Sequence, residues 1–290
     1  MAARSRPAGA APKQTAMLID STRCIGCRAC QVACKQWNNK PGTKTSFLPA
    51  QKKLAAEFAR AGYQNPADLD GDTWTLIKYN EVETGGRFHW VFGKLQCFHC
   101  NAPTCVSCCP VTALEKLPTG PVIYHEDRCI GCRYCMLACP FQVPKFEWHK
   151  ALPLIQKCTM CIDRLSTDGP FSEPACSKAC PTDAIVTGDR DELIAEAWRR
   201  IRQYPDRYRR HVYGQHEVGG TCVLHLSKVP FDKIGFRTDL PDKALPELTS
   251  LAMSGIPYVV STLLVVLGTT YAIRRHQVVK AEQQSENEDN

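Results

Sequence analysis

The sequence predicts an α+β fold, rich in loops, in which two small cysteine-rich modules are nested and one C-terminal helix crosses a membrane. Three observations carry this expectation. Eighteen of the 290 residues are cysteine, and all but Cys108 and Cys222 fall into four groups of four. The phrase CIGCRACQVAC at 24–34 returns as CIGCRYCMLAC at 129–139, so the chain nearly repeats itself 105 residues later. Residues 248–273 form a run of 26 without a charged side chain.

The first group is Cys24, Cys27, Cys30 and Cys34, with spacers of two, two and three residues. The second is Cys97, Cys100, Cys105 and Cys109, in which one spacer lengthens to four and Pro110 follows. The third is Cys129, Cys132, Cys135 and Cys139, spaced like the first and followed by Pro140. The fourth is Cys158, Cys161, Cys176 and Cys180, with a spacer of 14 and Pro181 after it. Disulfides stabilise small secreted domains that lack a core; a chain of this length can bury one. Zinc takes one tetrahedron, usually from two separated pairs. The two-two-three run is the bacterial ferredoxin phrase for 4Fe–4S cubanes. Three cysteines on one loop reach three irons of a cube. The fourth lies a turn further on, is expected to point away, and ligates a neighbouring cluster.

Cross-ligation makes clusters come in pairs, so four phrases imply four 4Fe–4S clusters in two pairs. The two middle groups are close in sequence and pair with each other. The first and last then pair around them, giving two nested ferredoxin-like 2×4Fe–4S modules. Their bounds are about 90–150 for the inner module and 17–48 plus 151–230 for the outer, within a domain spanning 17–247. Sequential pairing, first with second and third with fourth, fits the spacing equally well. Cys108 and Cys222 fall outside the grammar and are expected to be buried free thiols.

Short strands are expected at 17–20 (MLID) and 121–124 (PVIY), each leading into a cysteine loop. Residues 49–62 look helical and form a surface insertion. Residues 190–204 form an amphipathic helix with Leu193, Ile194, Ala197, Trp198 and Ile201 on one face and Asp189 as N-cap. Residues 1–16 form a flexible N-terminus without an apolar signal stretch. The run 248–273 is long enough to span a bilayer, with Tyr258 and Tyr271 toward its ends as interface aromatics. Residues 274–290 form a polar tail without packed structure. Arg274, Arg275 and Lys280 follow the span, whereas only Lys243 lies shortly before it. That bias puts the C-terminus in the cytoplasm and the cluster domain outside. Export would then proceed as a folded unit, carried by a partner that has a signal.

The formal net charge of +7 does not point to nucleic acid, because no basic run is interleaved with aromatics. Sixteen thiolates add about −16 and four oxidised cores restore about +8, taking the loaded chain to roughly −1. Arg28, Lys35, Arg133, Lys157 and Lys178, each close to a cysteine, are expected to compensate cluster charge. No nucleotide-binding or hydrolytic motif is present. His99 and His125 sit beside cysteines as supporting or surface residues, and Trp37 as a packing residue. Four clusters, no catalytic site and a membrane anchor describe an electron wire.

Several stretches add a resemblance: LIDSTRCIGCRACQVACKQWN, NPADLDGDTWT, QCFHCNAPTCVSCCP, CIGCRYCMLACPFQVPKF, KCTMCIDRL, EPACSKACPTDAI and EVGGTCVLHL. Over about 17–230 they resemble the iron–sulfur β subunit of respiratory membrane-bound formate dehydrogenase, most specifically in QVACKQWN, NPADL and VGGT. The resemblance implies that Cys24, Cys27, Cys30 and Cys180 hold one cluster, and Cys34, Cys158, Cys161 and Cys176 a second. Cys97, Cys100, Cys105 and Cys139 hold a third, and Cys109, Cys129, Cys132 and Cys135 a fourth. It also implies a catalytic α subunit with a molybdenum or tungsten pterin, and a cytochrome b γ subunit that passes electrons to quinone. It places the domain in the periplasm at the bacterial inner membrane. Related subunits serve hydrogenases, sulfoxide reductases and nitrate reductases; the last typically carry tryptophan at one cysteine position, whereas all sixteen cysteines stand here. A stand-alone membrane polyferredoxin is the alternative of another class.

Overall fold

A computed structural model of the chain describes residues 13–43, 64–165 and 172–288. The insertion expected at 49–62 and the first 12 residues lie outside these. The chain divides into a unit ending at Pro246 and a second unit beginning at Glu247.

The first unit is organised around strand β1, Thr15–Asp20. Its apolar run Ala16, Met17 and Leu18 is completely buried. Each such Met or Leu contributes about 1.5–3 kcal/mol relative to an exposed one. The strand begins two residues inside the expected flexible N-terminus, where Thr15 N–H donates to Thr119 O at 2.7 Å. Two late strands flank it. β8, Ile185–Asp189, pairs antiparallel, and β9, Val223–Leu226, pairs parallel. Helix α6, Arg190–Gln203, closes over this sheet. Asp189 caps it, accepting from Asp191 and Glu192 backbone N–H at 3.1 and 3.4 Å. Leu193, Ala197 and Ile201 are buried, and Ile194 and Trp198 pack at the edge of the core. This is the amphipathic face read from the sequence.

Between β1 and the second cysteine group lies a hairpin that sequence reasoning missed: β2, Leu76–Thr84, and β3, Arg87–Leu95. Gly85 and Gly86 turn it with φ of 60° and 71°, a conformation that glycine adopts without steric penalty. Two smaller hairpins follow. β4, Leu114–Lys116, pairs with β5, Val122–Tyr124. β6, Lys145–Phe146, pairs with β7, Ile155–Gln156. Leu114, Val122, Phe146 and Ile155 from these strands form a second core together with Cys105, Cys108 and Cys135. Short helices accompany the cysteine loops: α1, Ala29–Trp37; α2, Thr104–Ser107; α3, Tyr134–Ala138; α4, Ile162–Leu165; and α5, Ala175–Lys178.

The second unit is one helix, α7, Pro246–Glu288. Within it Ser254–Lys280 is long and apolar enough to cross a membrane. The helix does not stop at the expected end of the apolar run but continues through the polar tail. The physical reason is composition: 274–288 holds Ala, Arg, Lys, Gln and Glu, good helix formers, and neither Gly nor Pro.

Candidate metal centres

The repeated phrase folds twice in the same way. Gly26 and Gly131 both have φ of 70°. Arg28 and Arg133 cap the helices that follow in the left-handed region, at φ 61°, ψ 10° and φ 64°, ψ 8°. A Cβ at Gly26 would stand 3.0 Å from the Phe92 ring, so both the turn and the packing demand glycine. The loop thereby faces its cysteines inward while α1 or α3 begins.

The sixteen cysteines of the four groups line four cavities, four to each. Cys24, Cys27, Cys30 and Cys180 line the first. Cys34, Cys158, Cys161 and Cys176 line the second. Cys97, Cys100, Cys105 and Cys139 line the third. Cys109, Cys129, Cys132 and Cys135 line the fourth. The remaining wall is mostly apolar: Ile19, Ile77 and Phe92 at the first, Phe98, Phe141 and Val143 at the third.

Each three-residue spacer divides its two cysteines between two cavities. Cys30 and Cys34 both sit on α1, and at four residues' separation they share a face, about 6 Å apart along the axis. Cys34 lines not the first cavity but the second, one turn on, in line with the expectation that the fourth cysteine serves a neighbouring site. Cys105 and Cys109, Cys135 and Cys139, and Cys176 and Cys180 likewise divide between two cavities. The first and second cavities are thus neighbours, as are the third and fourth. The middle link is Cys97: after burial, its thiolate acts on Cys158 more strongly than any other charge. The cavities follow in one series.

The donor set suits a cluster better than a single ion. Zinc would draw four sulfurs to within about 4 Å of one another. Among the described residues, no three His, Cys, Asp or Glu side chains converge tightly enough to hold one ion. Each sulfur set surrounds a volume instead. Backbone amides point at several of the sulfurs: Ala113 N–H to Cys109 Sγ at 3.2 Å, Met160 N–H to Cys158 Sγ at 3.3 Å and Gly131 N–H to Cys129 Sγ at 3.4 Å. Such bonds favour thiolate. Burial pushes the Cys30, Cys34, Cys158 and Cys161 thiols up to about 12. Holding thiolate there requires positive charge nearby, as an iron core would supply.

Of the cations expected to compensate charge, Arg28 lines the first cavity, Arg133 the fourth and Lys157 the third. Lys157 is buried and donates to Cys158 O at 3.1 Å. Two others make their direct bonds elsewhere, although the Cys34 thiolate still acts on Lys35. Lys35 Nζ is held by Asp72 O and Pro41 O at 2.8 and 2.9 Å, and Lys178 pairs with Glu173 at 3.6 Å in the open. Sequence reasoning missed Lys94, a fully buried lysine on β3 at the wall of the first cavity. Burial pulls its pKa down, but the thiolates of Cys176, Cys30, Cys158 and Cys34 keep it above its ordinary value.

Cys108 and Cys222 are buried thiols, as expected; Cys222 Sγ lies 3.4 Å from Lys116 Nζ. His99 is fully buried and accepts from Val122 N–H on Nδ1 at 2.9 Å. Burial and the nearby lysines hold it neutral. His125 pairs with Glu115 at 2.9 Å. Trp37 packs beneath the Arg164 guanidinium, 4.2 Å from the ring centre, and donates to Asp163 at 2.6 Å.

Comparison with known proteins agrees with this geometry. A 4Fe-4S dicluster domain matches residues 23–113, and another matches 88–190. A protein of Nitratidesulfovibrio vulgaris is 43% identical over 272 residues, covering 93% of this chain and 70% of the relative. The nitrate-inducible formate dehydrogenase iron–sulfur subunit of Escherichia coli is 37% identical over 216 residues, 73% of this chain and 68% of that subunit. The hydrogenase-2 operon protein HybA of E. coli O157:H7 is 35% identical over 311 residues, 95% of this chain and 88% of that protein.

Proposed function

The chain belongs to the family of formate dehydrogenase iron–sulfur subunits, and from that premise we propose that it conducts electrons from a catalytic partner to a membrane acceptor through four 4Fe–4S clusters. The observation that carries this reading is the set of four cavities, each lined by four cysteines. A bound 4Fe–4S cluster accepts and releases one electron at a time. The chain's own residues do the rest. Cys24, Cys27, Cys30 and Cys180 would hold the first cluster, and Cys34, Cys158, Cys161 and Cys176 the second. Cys97, Cys100, Cys105 and Cys139 would hold the third, and Cys109, Cys129, Cys132 and Cys135 the fourth. Amide hydrogen bonds and the buried cations Lys94 and Lys157 offset the negative charge that each electron adds. Apolar side chains form much of the wall around the sulfurs.

In this reading the outer ferredoxin-like module holds the first and second clusters, and the inner one the third and fourth. The electron source is a molybdenum- or tungsten-pterin subunit, and the sink is a cytochrome b subunit that reduces quinone. The chain itself carries no catalytic site. The span Ser254–Lys280 anchors it in the inner membrane. Arg274, Arg275 and Lys280 favour a cytoplasmic C-terminus, with the cluster unit in the periplasm.

Purification of the native assembly under anaerobic conditions tests this. Formate should reduce the EPR-detected clusters, a quinone should reoxidise them, and a pterin subunit and haem b should co-elute. Reduction by hydrogen but not formate would assign the chain to a hydrogenase. A stable lone chain that neither donor reduces would make it a stand-alone polyferredoxin.

A further inference from the structure

We propose that Lys94 is a fixed internal charge that raises the reduction potentials of the first two clusters together. The inference rests on the four-cluster reading above and goes beyond it by assigning a tuning role to one residue. Lys94 lies near the end of β3, directly opposite Ile77 of β2, on a hairpin where Leu76, Ile77 and Val91 are buried apolar residues. Packing alone would be satisfied by another aliphatic side chain. The lysine is 2% exposed, and its Nζ donates to the neutral Gln96 Oε1.

No carboxylate stands among the groups that act on it most strongly; all four are sulfurs. Cys30 belongs to the first cavity, and Cys34, Cys158 and Cys176 to the second. Its other titratable neighbours are the buried, neutral His225 on β9 and His99, and Cys24, a further sulfur of the first cavity. An ammonium removed from water is costly unless opposite charge repays it. Here the opposite charge belongs to two sites at once. Reduction adds one electron to a cluster. No cluster bond breaks and no proton moves. The site becomes one unit more negative, and a buried positive charge favours that state in low dielectric. Lys94 lines the first cavity and its charge also acts on sulfurs of the second, so both respond.

The test is a mediated EPR redox titration of the purified detergent-solubilised assembly, with dithionite as reductant, on wild type, Lys94→Met, Lys94→Gln and Lys94→Arg. Iron content is measured on each. In the neutral variants two of the four EPR components should titrate lower by at least about tenfold in reduction equilibrium, or 59 mV for one electron. The other two should stay, and Lys94→Arg should match wild type. Unchanged midpoints in either neutral variant with full iron content would overturn the proposal. Fewer than four components in wild type would instead refute the four-cluster reading itself, whatever Lys94 does.

Discussion

Cys30 and Cys34 stand one helical turn apart on α1, and Cys30 lines the first cavity while Cys34 lines the second. One turn of helix therefore couples two cavities here, whereas at the other three-residue spacers the last cysteine lies just past the end of its short helix. Cys34→Ala should remove one ligand from the second site and leave all four sulfurs of the first. The expected outcome is a loss of about four irons per chain, with three cluster signals retained. Iron analysis with EPR checks it. Loss of the first-site signal alone would reverse the assignment.

Asp20, at the end of β1, is fully buried beside the first cysteine loop. It accepts from Tyr208 Oη at 2.8 Å and pairs with Arg200 at 3.1 Å. Arg200→Met leaves a buried carboxylate without its counter-charge. Breaking a buried pair costs about 3–5 kcal/mol, and the hydrogen bonds from Tyr208 and Thr22 keep the loss toward the lower end. Cluster absorbance followed during heating should disappear at a clearly lower temperature in the variant.

Glu196 on α6 is held down to about 2 by its hydrogen bonds from Arg199 and Arg200. A depressed carboxyl stabilises the fold above its unfolded pKa, near 4.5, and loses that contribution as pH falls toward 2. The group is partly exposed, so its share is under about 1 kcal/mol. Thermal melts of Glu196→Gln and wild type should differ at pH 7 and converge as pH drops from about 4.5 to 2. A gap that widens on acidification would contradict the assignment.

Ser254–Lys280 should hold the chain in the membrane. Carbonate washing should leave the full chain in the pellet, while a chain ending at Ala244 should appear in the supernatant with its iron bound. Release of the full chain by carbonate would show that the helix does not span.

The cysteine grammar was legible because cluster ligation imposes spacing on the chain. So were β1, β5 and α6, whose patterns are local. The β2–β3 hairpin was missed although Gly85-Gly86 marked its turn. Lys94 had no local signal: its partners come from the first and fourth cysteine groups, and only the hairpin brings it to them. For the same reason Lys35 and Lys178, adjacent to cysteines in sequence, turned out to serve carbonyls and a surface carboxylate.

Iron and acid-labile sulfide per chain, measured on anaerobically purified material, test the central claim most directly. Four cubanes held by sixteen cysteines predict about sixteen irons and sixteen sulfides. Four or fewer irons, or zinc in their place, would contradict it.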